Sequence, residues 1–206
     1  MIKFKNIVFF QILTFILMVF IFTNCQNEVC NCPIDAAKIK TNDSIFTLVK
    51  KYRENDSFWQ QLKEPYLDTL QNEVFRVYKR GIFDNLIKTH RIEKKENDYQ
   101  LTIKNYYFGE PDSMSTIIRS ISKKQWDNIS EKMNEYCFWA MDTKMNRNGC
   151  LDEGVLFLEG YNPNLKCKEI KPYHCVFGSC VDSLKGYKYK ELCGMMFDLD
   201  EDILKR

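Results

Sequence analysis

The stretch NLIKTHRIEKKENDYQLTIKNYY, residues 85–107, places two strand-like segments on either side of the polar turn Lys95-Glu96-Asn97-Asp98. In the second segment Tyr99, Leu101 and Ile103 alternate with Gln100, Thr102 and Lys104. A repeat of two is the side-chain period of a β-strand. Apolar and polar residues in strict alternation predict an antiparallel hairpin, Asn85–Lys94 against Tyr99–Tyr107, with one buried and one wet face.

Further strands are predicted outward from this hairpin. Val74–Lys79 is rich in aromatic and β-branched residues, and Ser115–Ile121, Gly154–Glu159 and Tyr173–Phe177 read the same way. Gly109–Ser113 is a loop by composition. Helical signals punctuate the strands. Ser122-Lys-Lys-Gln125 matches a capping box, followed by Trp126, Ile129, Met133, Cys137 and Ala140 on one helical face. Ile45, Leu48, Val49 and Tyr52 carry helical spacing behind an N-cap at Asp43 or Ser44. A short helix holds Phe58, Trp59 and Leu62 and stops before Pro65. Tyr189, Leu192, Cys193 and Met196 mark a final helix. The order predicts a single α+β domain over residues 34–206, an antiparallel sheet with helices packed on one face.

The amino end has a different character. Lys3 and Lys5 precede an apolar run from Ile7 to Phe22, broken only by Gln11 and Thr14. The run is short of the roughly 20 residues that span a bilayer, and charge, apolar core and cut site follow in the order of an export signal. VFIFTNCQNEVCNCP, residues 19–33, resembles the end of a bacterial lipoprotein signal, with Phe22-Thr23-Asn24-Cys25 as a loose lipobox. Asn24 departs from the commoner Gly, Ala or Ser. The resemblance implies a signal peptide over residues 1–24, lipid on Cys25 and a tether over 25–33. The expected partner is a membrane, held through the lipid, and the expected location is the bacterial cell envelope, on a periplasmic or surface face. An uncleaved anchor and ordinary secretion are the alternatives.

Export changes the charge. The chain has 30 basic and 28 acidic residues; loss of Lys3 and Lys5 leaves 28 of each and a formal charge of zero. That balance argues against nucleic acid as a partner, because phosphate neutralisation supplies most non-specific affinity. Of nine cysteines, lipid on Cys25 leaves eight, an even number that suggests disulfides in an oxidising compartment. The candidate half-cystines in the body are Cys137, Cys150, Cys167, Cys175, Cys180 and Cys193. No metal site is predicted: Cys30-Asn31-Cys32 and His174-Cys175 with Cys180 lack the paired spacing of structural zinc. No cofactor motif appears either.

Cys137-Phe138-Trp139, Leu151-Asp152-Glu153-Gly154, Leu158-Glu159-Gly160 and Tyr173-His174-Cys175-Val176, closed by the last helix, resemble a pattern in uncharacterised bacterial proteins. Those proteins carry a D-G turn, a W-x-L-E strand and a Y-H-x-V strand. The likeness covers the last third of the chain; Phe157 stands in place of the tryptophan, and Phe177-Gly178-Ser179-Cys180 replaces the usual continuation. It implies architecture and no activity. The anchor and the Lys/Asn/Ile-rich composition are similar to lipoproteins of Bacteroidota.

Two histidines are present, His90 and His174. The candidate catalytic set is His174 facing Glu159 across adjacent strands, with Asp152 at a nearby turn, as a general acid–base group. With no recognisable nucleophile, a structural hydrogen bond is the preferred reading of the same residues. The leading expectation is therefore a lipid-anchored envelope protein that acts by binding or structure, toward an envelope protein or small ligand that the sequence does not name. The alternatives are a small envelope hydrolase using His174 with a carboxylate, and an inhibitor or immunity lipoprotein.

Overall fold

A computed structural model describes residues 43–44, 47, 50–51, 53–55, 57–81, 86–96, 98–107, 109–110, 113–145, 154–165, 171–179 and 186–204. All of them belong to one compact unit, Pro33–Arg206. The expected signal, tether, Cys25, Cys150, Asp152, Cys167 and Cys180 lie outside the described residues.

The fold is α+β. Its strands are β1 (Glu73–Arg80), β2 (Leu86–Lys94), β3 (Tyr99–Tyr107), β4 (Ser115–Ser120), β5 (Val155–Tyr161) and β6 (Tyr173–Ser179), and its helices α1 (Ser57–Leu62), α2 (Lys123–Glu135) and α3 (Tyr187–Leu204). One antiparallel sheet has the order β4-β3-β2-β1-β5-β6. The β2–β3 hairpin pairs Lys94 with Tyr99, and its turn is closed by Lys95 N–H donating to Asp98 O at 2.8 Å. The first four strands form a meander; β5 then returns to the free side of β1, which puts the middle of β1 at the centre of the sheet.

One face is the apolar core. Phe75, Val77, Ile92, Leu101, Ile103, Leu158 and Val176 point there and are buried, covered by α2 and α3. The capping box of α2 forms in both directions: Ser122 Oγ accepts from Gln125 N–H at 3.2 Å, and Ser122 N–H donates to Gln125 Oε1 at 2.9 Å. Trp126, Ile129 and Met133 are its buried stripe, with the Trp126 ring 5.7 Å from Phe75 and 5.6 Å from Tyr99. Tyr189, Leu192, Cys193, Met196 and Leu199 supply the stripe of α3.

The expected extension of α2 through Cys137 and Ala140 does not occur. The helix ends at Glu135, and Cys137 takes a left-handed conformation with φ 55°. This turns Phe138 and Trp139 down into the core, where the Phe138 ring lies 6.2 Å from Phe75. Gly160 makes room for it, because a Cβ there would sit 2.6 Å from Phe138 Cε1 and 3.0 Å from Phe75 Cδ1.

The opposite face corrects two expectations. Helices were expected on one face, yet α1 lies on the other: Trp59 stacks on Tyr78 with ring centroids 4.4 Å apart and meets Phe157 edge-on at 6.0 Å. The polar side of the hairpin, expected to be wet, is covered as well, and Thr89 and Thr102 are buried. A second cluster of Trp59, Leu62, Tyr78, Ile87, Tyr106, Phe157 and Cys175 packs on this side. Local alternation records polarity; it does not record what another part of the chain lays over the strand.

The chain leaves α1 through Lys63, another left-handed residue with φ 47°. The left-handed region costs an L-residue about 1–2 kcal/mol, and glycine avoids that penalty while losing more backbone entropy. Lys63→Gly is therefore expected to raise stability by up to about 1 kcal/mol. A urea titration checks this, and a lowered midpoint contradicts it.

Candidate functional site

The face under α1 holds a buried ionic cluster. Strand registers build it: Arg76 of β1 lies beside Glu159 of β5 and Arg91 of β2, and Thr102 of β3 lies beside Arg91. Alternate residues share a face, so these side chains all project toward α1. The loop after α1 contributes Glu64, and the helical residues before it contribute Arg53.

Glu159 sits at the centre. Its Oε1 accepts from Arg53 Nη1 and from the Tyr173 hydroxyl, the latter at 2.6 Å. Its Oε2 accepts from Arg76 Nε at 2.7 Å, and Arg76 Nη2 lies 2.6 Å from the same oxygen. Arg76, fully buried, also donates from Nη1 to Pro65 O at 2.7 Å and to Glu64 Oε2 at 3.2 Å. Glu64 in turn meets Arg91 Nε at 3.1 Å and Lys104 Nζ at 2.9 Å. Lys104 donates to Leu62 O at 2.7 Å, and Arg91 Nη1 donates to Glu93 Oε2 at 2.9 Å. Rings cover the outside: the Arg53 guanidinium lies 4.1 Å from the Trp59 ring and 5.2 Å from the Tyr66 ring.

The electrostatics follow from this geometry. Burial alone drives the Glu159 carboxyl upward, but Arg53 and Arg76, with the Tyr173 hydroxyl, outweigh it and hold the group below the usual carboxylate value. Glu64 is likewise raised by burial and carried below its ordinary value by Arg76, Arg91 and Lys104. Burial, followed by the Glu159 charge, pushes the Tyr173 hydroxyl well above its ordinary value. Cys175, beside Glu159 in the β5–β6 register, is raised by the same two causes. Glu159 and Glu64 are thus held ionised, and the Tyr173 hydroxyl and Cys175 thiol protonated.

A pocket of about 10 Å³ opens beside it, lined by Lys50, Arg53, Tyr66, Asp68 and Tyr173. That is room for about one water molecule.

The candidate catalytic set is not assembled. In the β5–β6 register Glu159 opposes Cys175, and His174 opposes Gly160. His174 and Glu159 therefore occupy opposite faces of the sheet, and Asp152 is outside the described residues. His174 is buried edge-on against Phe138, with ring centroids 5.1 Å apart. Burial lowers its pKa to about 4, against a smaller upward pull from its hydrogen bond to the Met141 backbone and from Asp142. His90 is buried on the same face; its Nδ1 lies 2.9 Å from Met196 O, so the neutral ring donates there. Burial lowers it too to about 4. Both imidazoles are core side chains. His174→Ala is expected to cost about 2–3 kcal/mol through lost packing and an orphaned partner, read as a lowered melting temperature. An unchanged melting curve contradicts this.

The cysteines divide. Cys175 and Cys193, expected as half-cystines, are free and buried; Cys175 faces the ionic cluster and Cys193 the α3 core, so packing occupies both. Cys137 is disulfide-bonded. Among the described residues no group of three or more His, Cys, Asp or Glu side chains could hold a metal ion.

Arg53, Glu64, Arg76, Arg91 and Lys104 are the members that sequence reasoning missed. A signal existed in VFRVY, residues 74–78, and in VLFLEGY, residues 155–161, where one charge interrupts an apolar stretch. Knowing that these two charges are neighbours requires the β1–β5 pairing. No protein-family model matches the chain and no curated protein does.

Proposed function

We propose that this protein is a lipid-anchored cell-envelope protein that acts by binding or as a structural element, exported through its first 24 residues and held by lipid on Cys25. The observation that carries the non-catalytic part is the placement of its reactive side chains. Glu159 is clamped between two arginines and a tyrosine, and His174 is packed on the other face of the sheet. A general acid or base must exchange a proton with a substrate within hydrogen-bond reach. Neither group is free to do so where it stands, which leaves the hydrolase as the weaker alternative.

The export part draws support from the charge–core–cysteine order of the leader and from the disulfide at Cys137, since disulfides persist in oxidising compartments. Several acyl chains on one cysteine hold a protein to a bilayer stably, where a single chain holds only marginally. Among the described residues no helix is long and apolar enough to cross a membrane.

The test is metabolic labelling with radioactive palmitate in a lipoprotein-processing bacterial host. The wild-type chain is expected to take up label and partition with membranes, and Cys25→Ser to lose both. Absence of label on the wild type, or an intact mass that still includes residues 1–24, overturns the anchor.

A further inference from the structure

The two lateral edges of the sheet are finished differently. Along β6, Phe177 N–H donates to Thr143 O at 2.8 Å, and Phe177 O accepts from Met145 N–H at 2.8 Å, so a neighbouring segment covers that edge. No described residue covers β4. Ile121 N–H donates to Tyr99 O at 2.8 Å, and the register runs on through Arg119 opposite Leu101 and Ile117 opposite Ile103. Backbone groups of successive residues point to opposite sides of a strand. Ser115, Ile117 and Arg119 thus bond toward β3, and the N–H and C=O groups of Thr116, Ile118 and Ser120 point outward.

Natural edges are normally blunted by lysine, proline, a bulge or a covering element. β4 reads STIIRS and pairs with β3 without interruption from Ser115 to Ser120. Its one charge is Arg119. Ile118 is 60% exposed, and Met114, just ahead of the strand, is 37% exposed. An edge that no described residue covers, with an apolar side chain at its midpoint, is a template for strand addition.

We propose that β4 pairs antiparallel with β4 of a second copy of this chain, about a two-fold axis through Ile118, so that one sheet runs through both protomers. The axis stands normal to the sheet and keeps each face on its own side. Such pairing needs opposed residues that share a face and both bond outward. Ile118 opposite Ile118 and Thr116 opposite Ser120 meet both conditions, so every outward backbone group within the strand finds a partner. Charge fits as well: Arg119 falls opposite Ile117, so no like charges meet across the seam. The strand is self-complementary, as an isologous contact requires. This inference stands apart from lipid attachment at Cys25, because β4 is the same in either case.

Sedimentation equilibrium of the full chain in density-matched detergent is expected to find a dimer. Ile118→Lys places like charges opposite each other in the dimer while sitting at an exposed position in the monomer. It is expected to weaken association at least about tenfold with an unchanged circular-dichroism melt. Tyr187→Lys, at an exposed position on α3, is expected to leave the dimer intact. Amide exchange needs no variant: Thr116, Ile118 and Ser120 are expected to exchange more slowly as protein concentration rises. A wild-type chain that stays monomeric, an Ile118→Lys chain that dimerises as tightly as wild type, dissociation by Tyr187→Lys, or exchange at these amides that is independent of concentration overturns the proposal.

Discussion

Replacing Glu159 with alanine is expected to destabilise the protein by about 3–5 kcal/mol, the range for removing one member of a buried ion pair. The magnitude comes from what is left behind. Arg53 and Arg76 are both buried and share Glu159 as a common acceptor. Without it Arg53 loses this carboxylate, and Arg76 keeps one carboxylate, Glu64 at 3.2 Å, beside its bond to Pro65 O. The Tyr173 hydroxyl loses Glu159 as an acceptor too. A combined change, Arg53→Met with Arg76→Met and Glu159→Leu, is expected to be less damaging than Glu159→Ala alone. Apolar groups of similar length leave no uncompensated charge, and Glu64 retains Arg91 and Lys104. Chemical denaturation of both variants measures this. If the triple variant loses more stability than the single one, the cluster is not held together by charge compensation.

Acid is expected to unfold the protein from an unusually high starting pH. His90 and His174 are lowered by burial from 6.5 to about 4. As pH falls below 6.5 the unfolded chain binds protons at both rings, and the folded chain does not until about 4. The unfolded state binds more protons throughout that window, so stability falls as pH drops. The slope approaches about 1.4 kcal/mol per pH unit for each ring, or roughly 3 kcal/mol each across the window. Glu159 and Glu64, held below their ordinary value of 4.5, add a second loss as pH falls from there through their folded values. Urea midpoints between pH 7 and pH 4 read the first phase. His90→Gln with His174→Gln is expected to flatten that phase, whatever the substitutions do to absolute stability. A wild-type midpoint that stays level from pH 6.5 to pH 5 sinks the assignment of both rings as buried and neutral.

These two predictions rest on opposite faces of one sheet, and the faces were unequally legible. The helical face was readable because its signals are local. Trp126, Ile129 and Met133 recur at helical spacing behind a capping box, and Tyr99, Leu101 and Ile103 alternate along a strand. Each pattern needs only neighbours in sequence. Cys137 marks the limit: its spacing continues the stripe of α2, and only the left-handed turn at that residue, with Phe138 and Trp139 sinking into the core, shows that the helix has ended.

The ionic face was not readable in this way. Thr102 and Lys104 look like solvent-facing residues from their own strand, and Arg76 looks anomalous in its own. Their burial follows from α1 and Glu64 lying over them, many residues away in the chain. The candidate pair of His174 and Glu159 failed for a related reason. Both strands were foreseen, but a shift of one residue in pairing moves a side chain to the other face. The actual register places Cys175 beside Glu159.

Sequence by itself determined which of the described segments become strands and helices, where α2 begins, and that residues 7–22 are apolar where the rest of the chain is mixed, since each depends on the order of residues along a short stretch. Tertiary structure decided that β5 lies against β1, that Arg76, Glu159 and Glu64 meet, and that the two histidines are core. The reason is that pairing and register are set by packing over the whole sheet, and a period of two fixes alternation without fixing which strand stands alongside.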